Sequence, residues 1–278
     1  MKFPTLRFPE AGCFITSWLE EQTMHIIRRF SMETALKTTI QQSRPELVLP
    51  VRKNRSVGLA YFGDEYPSEA EKAYWILREK IITLEFPPGS AIRDADLTVK
   101  LGIGRTPIRE ALKRLEVEMF VVSHHRKGTY VNEITLVDFS RQYQIRRQLV
   151  TLAVALASQS REDTISQLEN KSQYLAANAQ KYTLQTIIQS MVDLELEIAR
   201  ASGNPFLSLT LQQYCGYARR TFHLLGSVLS VDDLQLEDYS KIMAWAAKKE
   251  SERSSQLMAL HVDQVHLTTV DRFLEKFI

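Results

Sequence analysis

The sequence predicts a mostly α-helical protein, in which an N-terminal winged helix-turn-helix of three helices and a small β-hairpin is followed by an all-α helical bundle. A capped helix pattern begins near Pro67, and two short β-rich runs follow the third predicted helix. From about Thr135 onward, helical periods continue with few strand signals. The chain has 278 residues, of which 44% are apolar and 24% charged, which suits two globular domains of ordinary size.

The chain divides into an N-terminal extension and two predicted domains. The extension has a plausible helix over Ser17–Gln42, but its stretch SRPELVLPVRKNRSVG is punctuated by prolines and has no period, as a linker does. Two interpretations of the extension stay open, namely partial disorder and a true start of the chain at Met24 or Met32. The predicted segments are the extension over 1–66, the winged helix-turn-helix domain over 67–132 and the all-helical domain over 135–278.

The first predicted helix follows Pro67, which ends whatever precedes it. Ser68 and Glu71 have the spacing of a capping box, and apolar residues then recur at helical spacing as far as Leu84. The sequence PPG at Pro87–Gly89 terminates the helix.

The second and third predicted helices are separated by a glycine-rich turn. The stretch RDADLTVKLGIG predicts a short helix that is capped by Asp94 and ends at Gly102. In GIGRTPIREALKRLE, the third helix begins near Gly104–Thr106, because Pro107 fits the first helical turn. Gly104 has no side chain that could cap this helix.

The third helix carries one basic stripe. At about 100° per residue, Arg105, Arg109 and Lys113 fall within roughly 80° of one another, whereas Arg114 points away from them. The aliphatic residues of a separate arc, which needs a core to pack on, are Ile108, Ala111, Leu112 and Leu115. An isolated basic stripe is most often a solvated surface, but the order of helix, helix, glycine turn, basic helix and hairpin is typical of a DNA-binding winged helix-turn-helix.

The remaining elements are predicted from their periods. Two β-rich runs, Phe120–Ser123 and Thr129–Asn132, flank a polar turn and predict the hairpin. The candidate helices of the second domain are Leu136–Ser158, Glu162–Tyr182, Leu184–Ala201, Pro205–Gly226 and Leu236–Phe277, the last with a break near Glu250.

Composition and motifs argue against several functional classes. The two cysteines, Cys13 and Cys215, lie far apart and outside any CxxC motif, so neither a disulfide framework nor a zinc site is predicted. No apolar run has the length of a membrane span or the form of a signal peptide, which favours a soluble, cytoplasmic protein with no membrane partner. Because no P-loop, GxSxG, HExxH or dinucleotide motif is present, we expect no enzyme.

The motifs of the first domain resemble a known family. The stretch LREKIITLEFPPGSAIRDADLTVKLGIGRTPIREALKRLEVEMFVV, followed by RKGTYV, resembles the DNA-binding domain of GntR-type transcription regulators. The helical remainder resembles the FCD effector domain of the FadR subfamily, with RASGNPFL as its best landmark. The resemblance implies a repressor or activator that binds a palindromic operator in double-stranded DNA as a homodimer and is modulated by a small metabolite.

The resemblance also assigns DNA-binding residues by position. Arg105 and Arg109 correspond to arginines that read base edges or phosphates, and a bidentate arginine to guanine is the commonest specific contact in the major groove. The full predicted DNA-binding set is Arg105, Thr106, Arg109, Lys113, Lys127 and Gly128. Thr106 and Lys113 are expected to contact phosphates. For Lys127, at the wing tip, an ordinary solvated turn is the open alternative.

Many FCD domains hold a divalent metal with one aspartate and three histidines, beside an arginine that binds the carboxylate of the effector. In this chain those four ligand positions fall on Met191, Glu195, Tyr239 and His261. Methionine and tyrosine are poor ligands for hard cations, so we expect no metal and no other cofactor. A shift of two residues would bring in Asp193 and Glu197 instead, but it breaks the alignment to ASGN.

Arg146 occupies the position of the effector arginine, and Arg147 is the fallback. Since a buried arginine that faces a pocket needs an anionic partner, we expect the effector to be an acidic metabolite; a surface ion pair is the alternative. The predicted effector-binding residues are Arg146, Glu195, Tyr239 and His261. The missing metal ligands also leave open a second function, that of a ligand-independent DNA-binding dimer whose helical domain has lost effector and metal binding.

Overall fold

The computed structural model describes residues 66–277, and its fold class is the predicted one. Within these residues a small domain of three helices and a sheet is followed by a domain made only of helices. The predicted helix over Ser17–Gln42, and the extension apart from Tyr66, lie outside the described residues.

Helix α1 (Glu69–Ile82) begins as predicted at Ser68, whose hydroxyl accepts a hydrogen bond from the Glu71 backbone N–H at 3.1 Å. The Glu71 carboxylate accepts from the Trp75 indole at 2.8 Å. The helix ends before Leu84, which takes a left-handed conformation (φ 62°) that no helix continues through.

Helices α2 (Asp94–Leu101) and α3 (Arg105–Val117) enclose the predicted glycine turn, in which Gly102 is left-handed (φ 65°). The prediction that Asp94 caps α2 is wrong. Arg93 is the cap residue and Asp94 the first residue of the helix, so the aspartate side chain is free to contact α3. Gly104 precedes α3 without a side-chain cap, as expected.

The sheet has one strand more than the predicted hairpin. Its strands, in the order β1-β3-β2 and antiparallel throughout, are β1 (Ala91–Ile92), β2 (Val121–His124) and β3 (Gly128–Val131). The two hairpin strands are each shifted by one residue from their predicted bounds. Strand β1 is two residues long, too short to give a periodic signal in the sequence.

The second domain consists of six helices within the described residues, and each of the first four begins at its predicted residue. They are α4 (Leu136–Ala157), α5 (Glu162–Asn178), α6 (Leu184–Ala201), α7 (Pro205–Leu224), α8 (Glu237–Ala247) and α9 (Ser251–Phe277). A short 3-10 helix, Ala179–Lys181, replaces the predicted end of α5. Their fully buried apolar residues, such as Val150, Ile187 and Met243, form one continuous core.

Helix α7 joins the two domains. Its Tyr217 belongs to the core of the winged domain, where its ring lies 4.8 Å from that of Phe120. Arg219 makes a bidentate ion pair with Glu79 of α1, with N–O distances of 2.7 and 2.5 Å. Arg220 donates to the backbone carbonyl of Asn132 at 2.5 Å. The winged domain is therefore held by side chains that project from a single helix of the bundle.

Candidate nucleic-acid interface and effector site

The basic face of α3 is exposed, and its aliphatic face is buried. All six residues of the predicted DNA-binding set are exposed in the described structure. The four aliphatic residues are almost completely buried: Ile108 and Leu115 at 0%, Ala111 at 2% and Leu112 at 6% exposure. Because the buried face anchors the helix, the cationic side chains are presented on a rigid element.

Arg109 has a partner that its sequence position did not reveal. Its Nε donates to the Asp94 carboxylate of α2 at 2.7 Å, while the arginine side chain stays 66% exposed. Such a pair holds the guanidinium in one direction without removing it from solvent. The Asp94 charge also offsets part of the positive potential at this end of the stripe.

Arg114, predicted to lie away from the DNA, contacts α1. Its guanidinium lies 3.6 Å from the centre of the Tyr74 ring and donates to Glu71 at 2.8 Å. This arginine is thus occupied in holding α3 against α1.

The wing turn is braced from within. Tyr130 donates its hydroxyl hydrogen to the Lys127 carbonyl at 3.1 Å, across the turn between β2 and β3. Gly128 has a φ of 102°, a conformation that other residues rarely adopt, so the turn depends on glycine. The exposed Lys127 side chain is carried at the tip of this braced turn.

In the helical domain, one buried carboxylate collects donors from three other helices. Glu195 of α6 has 0% exposure, and Arg146 of α4 donates to its Oε1. Tyr239 of α8 donates to the same oxygen at 2.5 Å, and the Cys215 thiol of α7 donates to Oε2 at 3.2 Å. We call these four side chains the carboxylate cluster.

Electrostatics keep the donors of the cluster protonated. Burial is the largest influence and lowers the pKa of Arg146, but the charge and hydrogen bond of Glu195, together with Cys215 and Tyr239, outweigh it and raise that pKa above its ordinary value. Burial raises the pKa of Tyr239 and of Cys215 well above their usual values, and the Glu195 charge raises both further. Glu195 is therefore surrounded by a cation and two neutral hydrogen-bond donors.

The structure brings together three of the four predicted effector residues, Arg146, Glu195 and Tyr239, in direct contact. His261 lies beside them, with its ring 4.7 Å from that of Tyr239, and its Nδ1 is 3.5 Å from the Asp238 carboxylate. Lys241 donates to the Asp238 carboxylate at 2.8 Å, and the neighbouring His261 and Lys241 lower the pKa of Asp238 to about 2.

Sequence reasoning missed Cys215 as a member of the cluster. A lone cysteine has no spacing pattern, and Cys215 is 20 residues from Glu195 on a different helix. The fallback arginine, Arg147, donates to both oxygens of Asp263 at 2.5 and 3.0 Å, so it too has an internal partner.

The side chains at the candidate metal-ligand positions do not fit a divalent metal. Both Glu195 oxygens accept hydrogen bonds, one from a guanidinium, and Met191 is buried among apolar residues at 2% exposure. In the alternative frame, Asp193 accepts from Gln189 at 2.7 Å and Glu197 from Lys171 at 2.5 Å. Among residues 66–277 no three His, Cys, Asp or Glu side chains are grouped so that they could hold a metal ion.

Little open space adjoins Arg146. The cavity beside it measures about 10 Å³, which is room for roughly one water molecule. Its lining includes Phe139, Tyr143, Tyr214, Phe222, Val262 and His266. In this conformation a metabolite that contacts Arg146 would have to displace side chains.

Comparison with known proteins agrees with both halves of the fold. Residues 69–131 match the family described as bacterial regulatory proteins, gntR family, and residues 142–264 match the FCD domain. HTH-type transcriptional regulator YdhC of Bacillus subtilis (strain 168) is 29% identical over 114 residues, which cover 39% of this chain and 51% of YdhC. The chain thus spans about half the length of that relative.

Two Escherichia coli proteins match over more of their length. HTH-type transcriptional repressor RspR of strain K12 is 20% identical over 197 residues, 70% of this chain and 86% of RspR. The solved structure of E. coli McbR/YncC has a TM-score of 0.62 at 20% identity and covers 75% of this chain and 100% of that one, a likeness of fold alone.

These matches and the geometry agree on one assignment. No helix within residues 66–277 is long and apolar enough to cross a membrane. The exposed basic helix lies in the part of the chain that matches the gntR family, and the carboxylate cluster lies in the part that matches the FCD domain. The chain belongs to the GntR family of DNA-binding transcription regulators and carries an FCD effector domain.

Proposed function

We propose that this protein binds a palindromic DNA operator as a homodimer in the cytoplasm and represses transcription from it. The observation that carries the proposal is the exposed stripe of Arg105, Arg109 and Lys113 on a helix whose other face is buried. Two such helices related by a two-fold axis would read two half-sites of an inverted repeat. The name of RspR, a repressor, supports repression as the direction of control.

An outward apolar stripe supports the homodimer. On α9, Leu260, Leu267 and Leu274 recur every seven residues and are 63%, 60% and 38% exposed. On the adjacent helix α4, Ile145 and Leu152 are likewise seven residues apart and 46% and 47% exposed. Helices that expose apolar residues at seven-residue spacing associate by packing those residues against one another. In a homodimer, helices α9 and α4 of the second copy would supply the matching apolar surface.

Two modes of regulation remain candidates. An acidic metabolite that binds Arg146 would act by taking over the guanidinium that Glu195 holds. The geometry favours the second mode, a ligand-independent dimer, because Arg146 already has a buried anionic partner and the adjoining cavity is about 10 Å³. With Glu195 engaged by three donors, we propose that neither mode uses a metal or another cofactor.

DNA binding is tested by selecting duplexes from a random library with the purified protein. We expect an inverted repeat to be enriched. Arg109→Ala should weaken binding to that duplex by about tenfold to a hundredfold, since a bidentate arginine contributes about 1–3 kcal/mol. The control is Arg141→Ala, an arginine of α4 whose side chain is 74% exposed. Equal affinities of the two variants would contradict the assignment of α3.

The two modes of regulation are separated by thermal unfolding of the wild-type protein with a panel of small carboxylates. A rise in Tm of several degrees with one of them would support regulation by an acidic metabolite, because a ligand that binds only the folded state stabilises it. Unchanged Tm values across the panel, with operator binding intact, would support the ligand-independent dimer.

A further inference from the structure

The carboxylate cluster is a convergence of four helices on one anion. Arg146, Cys215 and Tyr239 come from α4, α7 and α8, and all donate to Glu195 of α6. An ion pair needs only two helices. Here three independently packed donors point at one small volume, which is the arrangement of a binding site for a carboxylate.

We propose that Glu195 is a tethered ligand: its carboxylate fills, from within the chain, an anion site formed by Arg146, Cys215 and Tyr239, and thereby fixes the position of α7. The regulator so held needs no free anion to adopt its folded arrangement. This inference concerns the regulation of the helical domain and rests on the proposed function only for its effect on DNA.

The site is expected to persist when its ligand is removed. Arg146 and Tyr239 are 8% and 0% exposed, and the helices that carry them share the core of the domain. Glu195→Ala deletes the same heavy atoms that acetate contains, while the three donors remain. An uncompensated buried guanidinium is strongly unfavourable, so the vacancy should take up a small free carboxylate.

Helix α7 connects the carboxylate cluster to the winged domain. The residue after Cys215 is Gly216, against which the Arg78 guanidinium of α1 packs. One residue further, Tyr217 donates to the Glu118 carbonyl at the end of α3. The segment of α7 that senses the Glu195 carboxylate is therefore the segment that holds the winged domain.

The test compares the melting temperature of full-length Glu195→Ala in sodium acetate with that in sodium chloride at equal ionic strength and neutral pH. We expect a lower Tm than that of the wild type, and an acetate-specific rise of about 3 °C or more once acetate exceeds its Kd about tenfold. The wild type, whose site is filled, should not respond. Absence of an acetate-specific rise in Glu195→Ala would overturn the proposal.

Two controls make the result specific. Glu197→Ala removes a carboxylate from the same helix that is 33% exposed and pairs with Lys171, and it should show no response to acetate. Arg146→Met combined with Glu195→Leu replaces the pair by apolar groups of similar size, which should restore stability without an anion site. A response of the double variant equal to that of Glu195→Ala would also overturn the proposal.

If Glu195→Ala does not fold in chloride, its refolding yield in acetate and in chloride becomes the measurement. A yield that depends on acetate supports the tethered ligand, and equal yields overturn it. DNA binding is measured separately: operator affinity should fall about tenfold or more in Glu195→Ala and recover with acetate. A wild type that binds no DNA would defeat the proposed function, while the acetate result would still decide the inference.

Discussion

At the scale of single residues, the contact between Asp94 and Arg109 would have two effects on the proposed DNA binding. The carboxylate holds the guanidinium through its Nε at 2.7 Å, which would restrict the directions in which Arg109 could reach a base. It would also place a negative charge near the phosphates of DNA bound at α3. The first effect would favour specificity, and the second would weaken binding to any duplex.

We therefore predict that Asp94→Asn binds non-operator DNA about two- to tenfold more tightly and discriminates less between operator and scrambled duplexes. Fluorescence anisotropy with both duplexes at one fixed salt concentration measures this. Asp96→Asn is the matched control, since it removes the same charge from an exposed position of α2. Equal loss of discrimination in both variants would show that only charge matters and that the contact does not orient Arg109.

At this scale the sequence predicts only features formed by residues that are close together in the chain. The stripe on α3 follows from the helical period alone, because its residues are four apart in the chain. The partners of Arg109 and Arg146 are 15 and 49 residues away, so no pattern within one element reveals them. For the same reason the sequence predicts an external anion as the partner of Arg146, whereas in the structure its partner is Glu195 of the same chain.

At the scale of elements, Gly216 of α7 lies between Cys215, which contacts Glu195, and Tyr217, which contacts the winged domain. A Cβ at this position would overlap the Arg78 guanidinium and approach the Phe120 ring at 3.2 Å. Arg78 has little freedom to yield, since it is 3% exposed and donates to the Gln212 carbonyl at 3.0 Å. Glycine is needed here for close packing and not for a special backbone angle.

Gly216→Ala is accordingly predicted to destabilise the protein by about 1–3 kcal/mol, the usual range for overpacking. Urea unfolding measures the change, and loss of operator affinity should accompany it because the winged domain docks on this segment. Gly104→Ala serves as the control for an added methyl group, since its Cβ would meet only Pro107 at 3.7 Å. A Gly216→Ala protein as stable as the wild type would mean that the two domains do not pack as described.

The end of α7 should make stability depend on pH. Burial, and to a lesser extent the charge of Arg219, lower the pKa of His223 from 6.5 to about 4 against the opposing charge of Glu79. Since the folded state prefers the neutral imidazole, this contribution to stability is complete above the unfolded pKa of 6.5 and is lost as the pH falls towards about 4.

His223→Gln should therefore lose less stability than the wild type between neutral and mildly acidic pH, by about 1–2 kcal/mol after allowance for partial exposure. Urea unfolding of both proteins at about pH 7 and pH 5 makes the comparison. His124→Gln, at an exposed position of the wing, should follow the wild type. Parallel wild-type and His223→Gln profiles would exclude His223 as the source of acid sensitivity.

The elements themselves were largely predictable, and the exceptions have physical causes. Four bundle helices start at their predicted residues, and three of them have caps that are encoded locally, Thr135, Thr183 and Asn204, whose side chains accept from backbone N–H groups of the first turn. The fourth, α5, follows Arg161, which makes no side-chain cap. Strand β1 exists only through its pairing with β3, where Ala91 lies opposite Tyr130. Because this pairing joins segments that are distant in the chain, a stretch of two residues does not predict it.

At the scale of the whole molecule, the proposed dimer would determine how tightly the operator is held. One winged domain would contact one half-site, and linking two of them would make the second contact intramolecular. The apolar stripe on α9 and α4 lies on the helical domain, so association there would leave both basic helices free. The separation of half-sites in the operator would then reflect the geometry of that association.

Leu267→Glu is predicted to convert the protein to a folded monomer, because a charge placed in an apolar interface loses its hydration without gaining a partner. Light scattering at micromolar concentration should show the mass halved, with unchanged circular dichroism, and operator affinity should fall about a hundredfold while binding to a single half-site changes little. Leu267 is 60% exposed, so the substitution should not disturb the monomer fold; Tyr174→Glu on α5, at 61% exposure, is the matched control and should remain dimeric. If Leu267→Glu stays dimeric and Tyr174→Glu becomes monomeric, the two copies associate through a different face, and the spacing of the half-sites must be explained by that face instead.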